Sequence, residues 1–159
     1  MNLKKIITFI ICLSIPLMIG SIAGIITSKE IDEWFYELRK PEFNPPNEIF
    51  GPVWTILYIL MGISLYVIWV SPENDNRKKA LWTFGIQLFL NFWWSIIFFS
   101  FHQIFIAIIT IVALWAFIFY MIILFKKIKP AAAYLNIPYL LWVSFATILN
   151  ISIWWLNLR

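Results

Sequence analysis

The chain reads as an all-α integral membrane protein built as a bundle of five transmembrane helices. Three observations carry that reading. Of 159 residues, 62% are hydrophobic and only 13% charged, where a soluble domain carries about one-quarter charged residues. A bilayer-spanning helix takes about 20 apolar residues, so five of them need roughly 100, about the apolar content available. The charges also cut the sequence into five long uncharged runs, Ile6–Thr27, Phe50–Val70, Ala80–Ser100, Ile104–Phe125 and Ala131–Trp155.

Each run is long enough to cross with some tilt. The first follows Lys4 and Lys5; its apolar stretch exceeds the roughly 7–15 residues of a signal-peptide core, so it is expected to remain as a true span. Pro52 after Gly51 and Pro130 ahead of three alanines fit first-turn positions, where a missing backbone donor costs nothing, and are expected to start the second and fifth helices. Pro16 and Pro138 fall inside spans and are expected to kink them. Between Ala80 and Phe125 no charge occurs, and only Phe101, His102 and Gln103 are polar enough to turn the chain, which predicts a tight helical hairpin.

Lys4, Lys5, Arg77, Lys78, Lys79, Lys126, Lys127 and Lys129 fall on one side of this topology; Lys29, Arg39, Lys40 and Arg159 fall on the other. The excess puts the amino terminus in the cytoplasm. The loop 28–49 is then external, and it is acidic, with Glu30, Asp32, Glu33, Glu37, Glu42 and Glu48. Within it Ile31, Trp34, Phe35 and Leu38 share a helical face, and Thr27 with Glu30 has capping-box spacing, which predicts a short amphipathic lid helix ended by Lys40 and Pro41. Pro45 and Pro46 hold the next segment extended. The chain is read as one domain, 1–159, whose net charge of +4 sits at the ends of apolar runs and addresses the lipid bilayer, not nucleic acid.

The spans contain no carboxylate, lysine or arginine, which removes paired-carboxylate catalysis, proton relays and charge-coupled transport from the interior. One cysteine, Cys12, and one histidine, His102, make neither a disulfide framework nor a metal site; His102 reads as a loop residue at the interface. Tryptophan is abundant. Trp34, Trp69, Trp82, Trp154 and Trp155 lie near span ends, where indoles favour the headgroup region. Trp54, Trp93, Trp94, Trp115 and Trp142 lie deeper, where an indole donor needs a partner or a cavity. Gln87, Asn91 and Ser95 share a face of the third span beside Trp94; Trp142, Ala146 and Asn150 share one on the fifth, and Trp54 and Tyr58 one on the second. These three stripes predict a lidded aromatic pocket with amides in its wall, against the alternative that the amides only join helices. Gly20 and Gly24 form a GxxxG pair that lets another helix approach, within the bundle or across a dimer.

The segment WFYELRKPEFNPP from Trp34 to Pro46, with GPVWTILYILMG from Gly51 to Gly62, LNFWWSIIFF from Leu90 to Phe99 and PYLLWVSFATILN from Pro138 to Asn150, closely resembles the translocator protein family of tryptophan-rich sensory proteins and peripheral benzodiazepine receptor homologues. The resemblance implies a homodimer of five-helix bundles in a bacterial cell membrane. It further implies a pocket beneath the first loop that takes porphyrins, haem or benzodiazepine-type ligands, with no resident cofactor required. Trp54, Trp142, Asn91 and Ala146 match the family's pocket positions, and Tyr58 and Trp94 are lining positions. Trp34, Phe35, Pro41, Pro45 and Pro46 match the loop. What the resemblance implies for function is porphyrin transport, sensing or turnover. A light-dependent breakdown of protoporphyrin, with Trp54 and Trp142 as redox partners, and translocation of another hydrophobic molecule are the alternatives. Phe35 stands where many relatives have tyrosine and Phe43 where they have tryptophan, and 149–159 lacks the tyrosine of a sterol-recognition segment.

Overall fold

The structure, a computed structural model, describes residues 2–158. Its elements are α1 (Leu3–Asp32), α2 (Trp34–Glu37), α3 (Asn47–Trp69), α4 (Asp75–Ser95) continued by a π-helical turn (Ile96–Ser100), α5 (Ile104–Ile128), α6 (Pro130–Tyr134) and α7 (Ile137–Leu156). Among the described residues five helical spans are long and apolar enough to cross a membrane, and the protein is an integral membrane helical bundle. Of the basic residues assigned to the two ends, Arg159 lies outside the described residues.

Several boundaries differ from the sequence reading. Helix α1 does not end at Thr27: it runs on through Glu30, and the Thr27 hydroxyl donates to the Ala23 carbonyl at 2.9 Å, within the helix instead of capping a new one. No breaker stands between Thr27 and Asp32, and extending an existing helix costs far less than nucleating another. The lid helix is therefore the single turn α2, ended by Leu38 in an extended conformation. Pro52 does not start α3. Pro46 supplies the N-cap, Asn47 begins the helix, and Pro52 sits within it; the carbonyl it leaves without a donor belongs to the exposed Glu48, in the first turn. Pro130 does open its helix.

Pro16 lies buried inside α1 without ending it. Pro138 does more than kink the fifth span: that span is two helices, α6 and α7, and Pro138 lies in the first turn of the second. The break is held by Asn136, fully buried, whose Nδ2 donates to Ser64 Oγ of α3 at 2.6 Å and to the Ala132 carbonyl at 2.9 Å. Ser64 Oγ donates to that same carbonyl at 3.0 Å, so a buried polar knot satisfies the Ala132 carbonyl, which is freed at the break because the Asn136 amide bonds to Ala133 instead. At the hairpin, α4 ends in the π turn, and His102 adopts φ 56° between it and α5.

Packing follows from small residues and interlocking side chains, because lipid offers no hydrophobic drive between helices. Helix α5 buries one seam of Ala107, Ile111, Leu114, Ile118, Met121 and Phe125 against its neighbours. Helices α1 and α3 come backbone to backbone at Gly62, where an added Cβ would stand 2.7 Å from the Leu13 Cα. By contrast nothing lies within 4 Å of a Cβ added at Gly24. Gly62→Ala is therefore expected to destabilise the bundle by about 1–3 kcal/mol, while Gly24→Ala leaves it unchanged; thermal unfolding in detergent measures both, and equal effects would show that this helix contact is not the tight one.

Candidate functional site

A cavity of about 380 Å³ opens among α1, α3, α4 and α7 beneath α2, within the range of roughly 300–1,000 Å³ typical of small-molecule sites. Five of the six residues singled out for ligand binding line it: Trp54, Tyr58, Asn91, Trp94 and Ala146. No charged side chain is among the lining residues.

The aromatic wall is a cluster around Trp54. Its ring stacks on Tyr58 at 5.6 Å and 27°, lies tilted on Trp94 at 6.1 Å, and meets Tyr139 edge-on at 6.2 Å. These are favourable geometries for rings of opposed edge and face charge. Gly20 makes the arrangement possible, because any Cβ there would overlap the Tyr58 ring. Gly20 and Gly24 both line the cavity, so the GxxxG pair of α1 serves the pocket and the close approach of Tyr58. On the outward side the lining residues Ser21 and Gly24 of α1 and Gly51 and Thr55 of α3 are exposed, so the cavity has a mouth edged by small residues.

The floor is polar and organised. Tyr58 Oη donates to Asn91 Oδ1 at 2.7 Å, Asn91 Nδ2 donates to Tyr139 Oη at 2.9 Å, and Tyr139 Oη donates to Gln87 Oε1 at 2.8 Å. Gln87 Nε2 ends the chain against Met61 Sδ at 3.9 Å. Beside it Trp94 Nε1 donates to Asn150 Oδ1 at 3.1 Å, and Asn150 Nδ2 reaches the Ile104 carbonyl at 3.3 Å. Both Asn91 atoms are thus engaged, yet a primary amide has two donors, which leaves one N–H of Asn91 for another partner.

Trp142 is the exception among the six. It does not line the cavity; it stands one layer back, edge-on to Phe50 of the wall at 5.9 Å and tilted on Phe145 at 5.4 Å, with its buried indole N–H unpartnered. Steps of four residues drift about 40° per step around a helix of 3.6 residues per turn. Trp142 and Asn150 are therefore about 80° apart, and the buried stripe of α7 is Tyr139, Val143, Ala146, Asn150 and Ile153, with Trp142 at its edge. Tyr139, three residues before Trp142, was the missed member. The other deep tryptophans serve elsewhere: Trp115 Nε1 donates to Ser144 Oγ at 2.7 Å across α5 and α7, and Trp93 lies on the outer surface, 36% exposed.

The lid is fastened at three points. Phe35, buried and on the cavity wall, packs edge-on to Phe98 at 6.0 Å and Phe99 at 5.5 Å, two neighbours that the π turn presents together to the cavity. The Lys40 ammonium lies 4.7 Å from the Phe35 ring centre and donates to the carbonyls of Tyr36 at 2.9 Å and Leu38 at 3.3 Å, closing the open end of α2. Partial burial pushes that ammonium's pKa below the usual lysine range. Trp34 stacks on His102 at 4.2 Å and 17°, and His102 Nε2 lies 3.0 Å from Glu30 Oε2, which ties α1, the lid and the hairpin together. Arg39 donates its amide to Asn157 Oδ1 at 3.1 Å and its carbonyl accepts from Asn157 Nδ2 at 2.9 Å. Trp34, Pro41, Pro45 and Pro46 do not themselves line the cavity; the prolines lie in the segment leading from the lid to α3.

The sequence profile of the TspO/MBR family matches residues 12–156. The chain belongs to that family. It is 40% identical to the tryptophan-rich protein TspO of Archaeoglobus fulgidus over 159 residues, covering 99% of each chain. To the TspO of Chlorobaculum tepidum it is 37% identical, covering 97% of this chain and 98% of the relative. The human translocator protein is 34% identical over 124 residues, 76% of this chain and 73% of the human one. Membership is of a family of membrane translocator and sensory proteins, named as such in several relatives.

In this TspO/MBR chain the floor should be most sensitive at Tyr139. Tyr139→Phe strands both an Asn91 donor and the Gln87 acceptor in a dry interior, while Tyr58→Phe strands only Asn91 Oδ1. At about 1–3 kcal/mol per stranded group, thermal unfolding is expected to show Tyr139→Phe losing about twice as much stability as Tyr58→Phe. The reverse order would refute the chain as drawn.

Proposed function

We propose that this TspO/MBR protein binds a flat tetrapyrrole, protoporphyrin or haem, in the cavity beneath the lid, in the service of porphyrin transport, sensing or turnover. The observation that supports it is the wall itself: Trp54 grouped with Tyr58 and Trp94 around an uncharged cavity of about 380 Å³, with Tyr139 packed edge-on behind Trp54. Stacking adds about 1 kcal/mol per aromatic contact beyond area burial. The remaining N–H of Asn91 serves a polar edge of the ligand, and Ala146 keeps the α7 side shallow. The carboxylates of such a ligand find no counter-charge in the lining and belong at the lid, where Lys40 lies over Phe35. The same reading places the protein in a bacterial cell membrane with its amino terminus cytoplasmic, supported by the basic residues gathered at one end. It takes the homodimer as the assembled form.

Protoporphyrin quenching of intrinsic fluorescence tests the site. Trp54→Leu and Asn91→Ala are each expected to weaken binding by about tenfold, the equivalent of about 1.4 kcal/mol. Gly24→Phe, which projects into the cavity mouth, is expected to abolish it, and Trp142→Phe to change it little. Unchanged affinity in the first three would place the ligand elsewhere.

A second reading, light-driven oxidation of the bound porphyrin by dioxygen, draws support from the contiguous oxidisable rings of Trp54, Tyr58 and Trp94. Trp54 is the one of the two suggested redox tryptophans on the cavity wall. Under illumination in air the native protein is expected to bleach the porphyrin absorption band faster than Trp54→Phe at equal occupancy; equal loss in detergent alone ends this reading. Vesicle flux of porphyrin separates transport from storage.

A further inference from the structure

A second hollow, about 600 Å³, lies on the outer surface of the bundle between α1, α3 and α4, on the other side of α1 from the mouth of the pocket. Its walls are wholly apolar, formed by side chains such as Ile19 of α1, Leu65 and Trp69 of α3, and Leu88 and Phe92 of α4. On α4 the wall extends from Leu81 to Trp93, a rise of about 18 Å at about 1.5 Å per residue. That is about the depth of one leaflet of a hydrocarbon core roughly 30 Å thick. Nearer its Leu81 end Gly85 contributes no side chain, and nothing lies within 4 Å of where a Cβ would be.

The end of the groove at Trp69 is the basic end of the molecule. The Arg77 guanidinium lies 5.7 Å from the Trp69 ring centre, with its side chain only 13% exposed. Among the described residues its ionic contact is Nη1 with Glu73 Oε1 at 3.4 Å, and its Nε is buried with no hydrogen-bond partner. Lys78 and Lys79 follow it, and Lys126, Lys127 and Lys129 lie at the end of α5 and just after it, against the acidic Glu73 between α3 and α4 and Asp75 at the start of α4.

We propose that this groove is a binding site for an anionic phospholipid, one acyl chain lying along α4 past Gly85 and the phosphate held at Arg77. A guanidinium carries five N–H donors in a planar fork, Glu73 engages Nη1 alone, and the exposed edge of the fork is completed by a phosphate oxygen and not by a neutral headgroup surface. The groove is about one leaflet long, the reach of an acyl chain whose phosphate stays at the basic end. Anionic lipid gathers where basic residues meet the membrane surface, which is the end where the groove opens.

The test is native mass spectrometry of the full-length protein in detergent, titrated with phosphatidylglycerol and with phosphatidylcholine of matched acyl chains. The native protein is expected to retain one phosphatidylglycerol in preference to phosphatidylcholine. Arg77→Gln is expected to weaken phosphatidylglycerol by about fivefold and leave phosphatidylcholine unchanged, while Gly85→Leu, filling the groove, weakens both; thermal unfolding confirms that each variant is folded. Equal retention of the two lipids by the native protein, or phosphatidylglycerol binding untouched in Arg77→Gln, overturns the proposal. So does a Gly85→Leu protein that dissociates from dimer to monomer with its lipid retention intact, since the groove would then belong to a second copy.

Discussion

A polar group inside a bilayer has no water to fall back on, and that constraint organises the centre of this protein. Tyr58 of α3, Asn91 and Gln87 of α4, and Tyr139 of α7 sit at depths where each needs a partner, and they find one another in a single directed chain. Because each group uses its donor on the next, the rotation of three helices about their axes is set together. A helix turned by one residue would leave a tyrosine hydroxyl and an amide facing hydrocarbon, at a cost comparable to the net worth of several packing contacts. The cavity lies against this chain, so the surface it presents to a ligand is a consequence of how the floor is satisfied.

Around that centre the bundle uses two devices to keep space open. Glycines remove side chains where rings or backbones must come near, Gly20 under Tyr58 and Gly62 under Leu13. Breaks in regular helix redirect side chains, the π turn setting Phe98 and Phe99 against Phe35, and the gap between α6 and α7 bringing Asn136 to Ser64. The lid is then held by contacts from distant parts of the chain, His102 at the hairpin and Asn157 after α7, so closure of the pocket depends on elements that are remote in sequence. Irregular backbone of this kind survives in a membrane only where its freed groups are answered from within the protein.

Most of the elements were legible because charge is intolerable in hydrocarbon: uncharged runs mark spans, and the positions of lysine and arginine mark their ends. Those ends were less exact, since helices continue beyond the hydrocarbon wherever nothing breaks them, as α1 does past Thr27 and α4 does back to its cap at Asn74. Proline positions were read from local chemistry alone, so Pro52 was given the role that belongs to Pro46. Five of the six lining candidates converge on the cavity because mid-span aromatic and amide stripes have few other places to go. Trp142 does not, since spacing by four is only nearly one turn and the buried face of α7 is centred nearer Tyr139.

The amino-acid sequence by itself determined that this chain lives in a membrane, how many times it crosses, which end is basic, and that its interior holds amides and indoles but no charge. Those follow from transfer free energies that act residue by residue. Only the tertiary structure decided which polar group answers which, that Tyr139 and not Trp142 stands against the cavity's aromatic cluster, that His102 supports the lid, and that Gly20 and Gly24 of α1 line the cavity. These are properties of pairs from different helices, and no term in a single helix's periodicity records the rotation and depth at which it meets its neighbour.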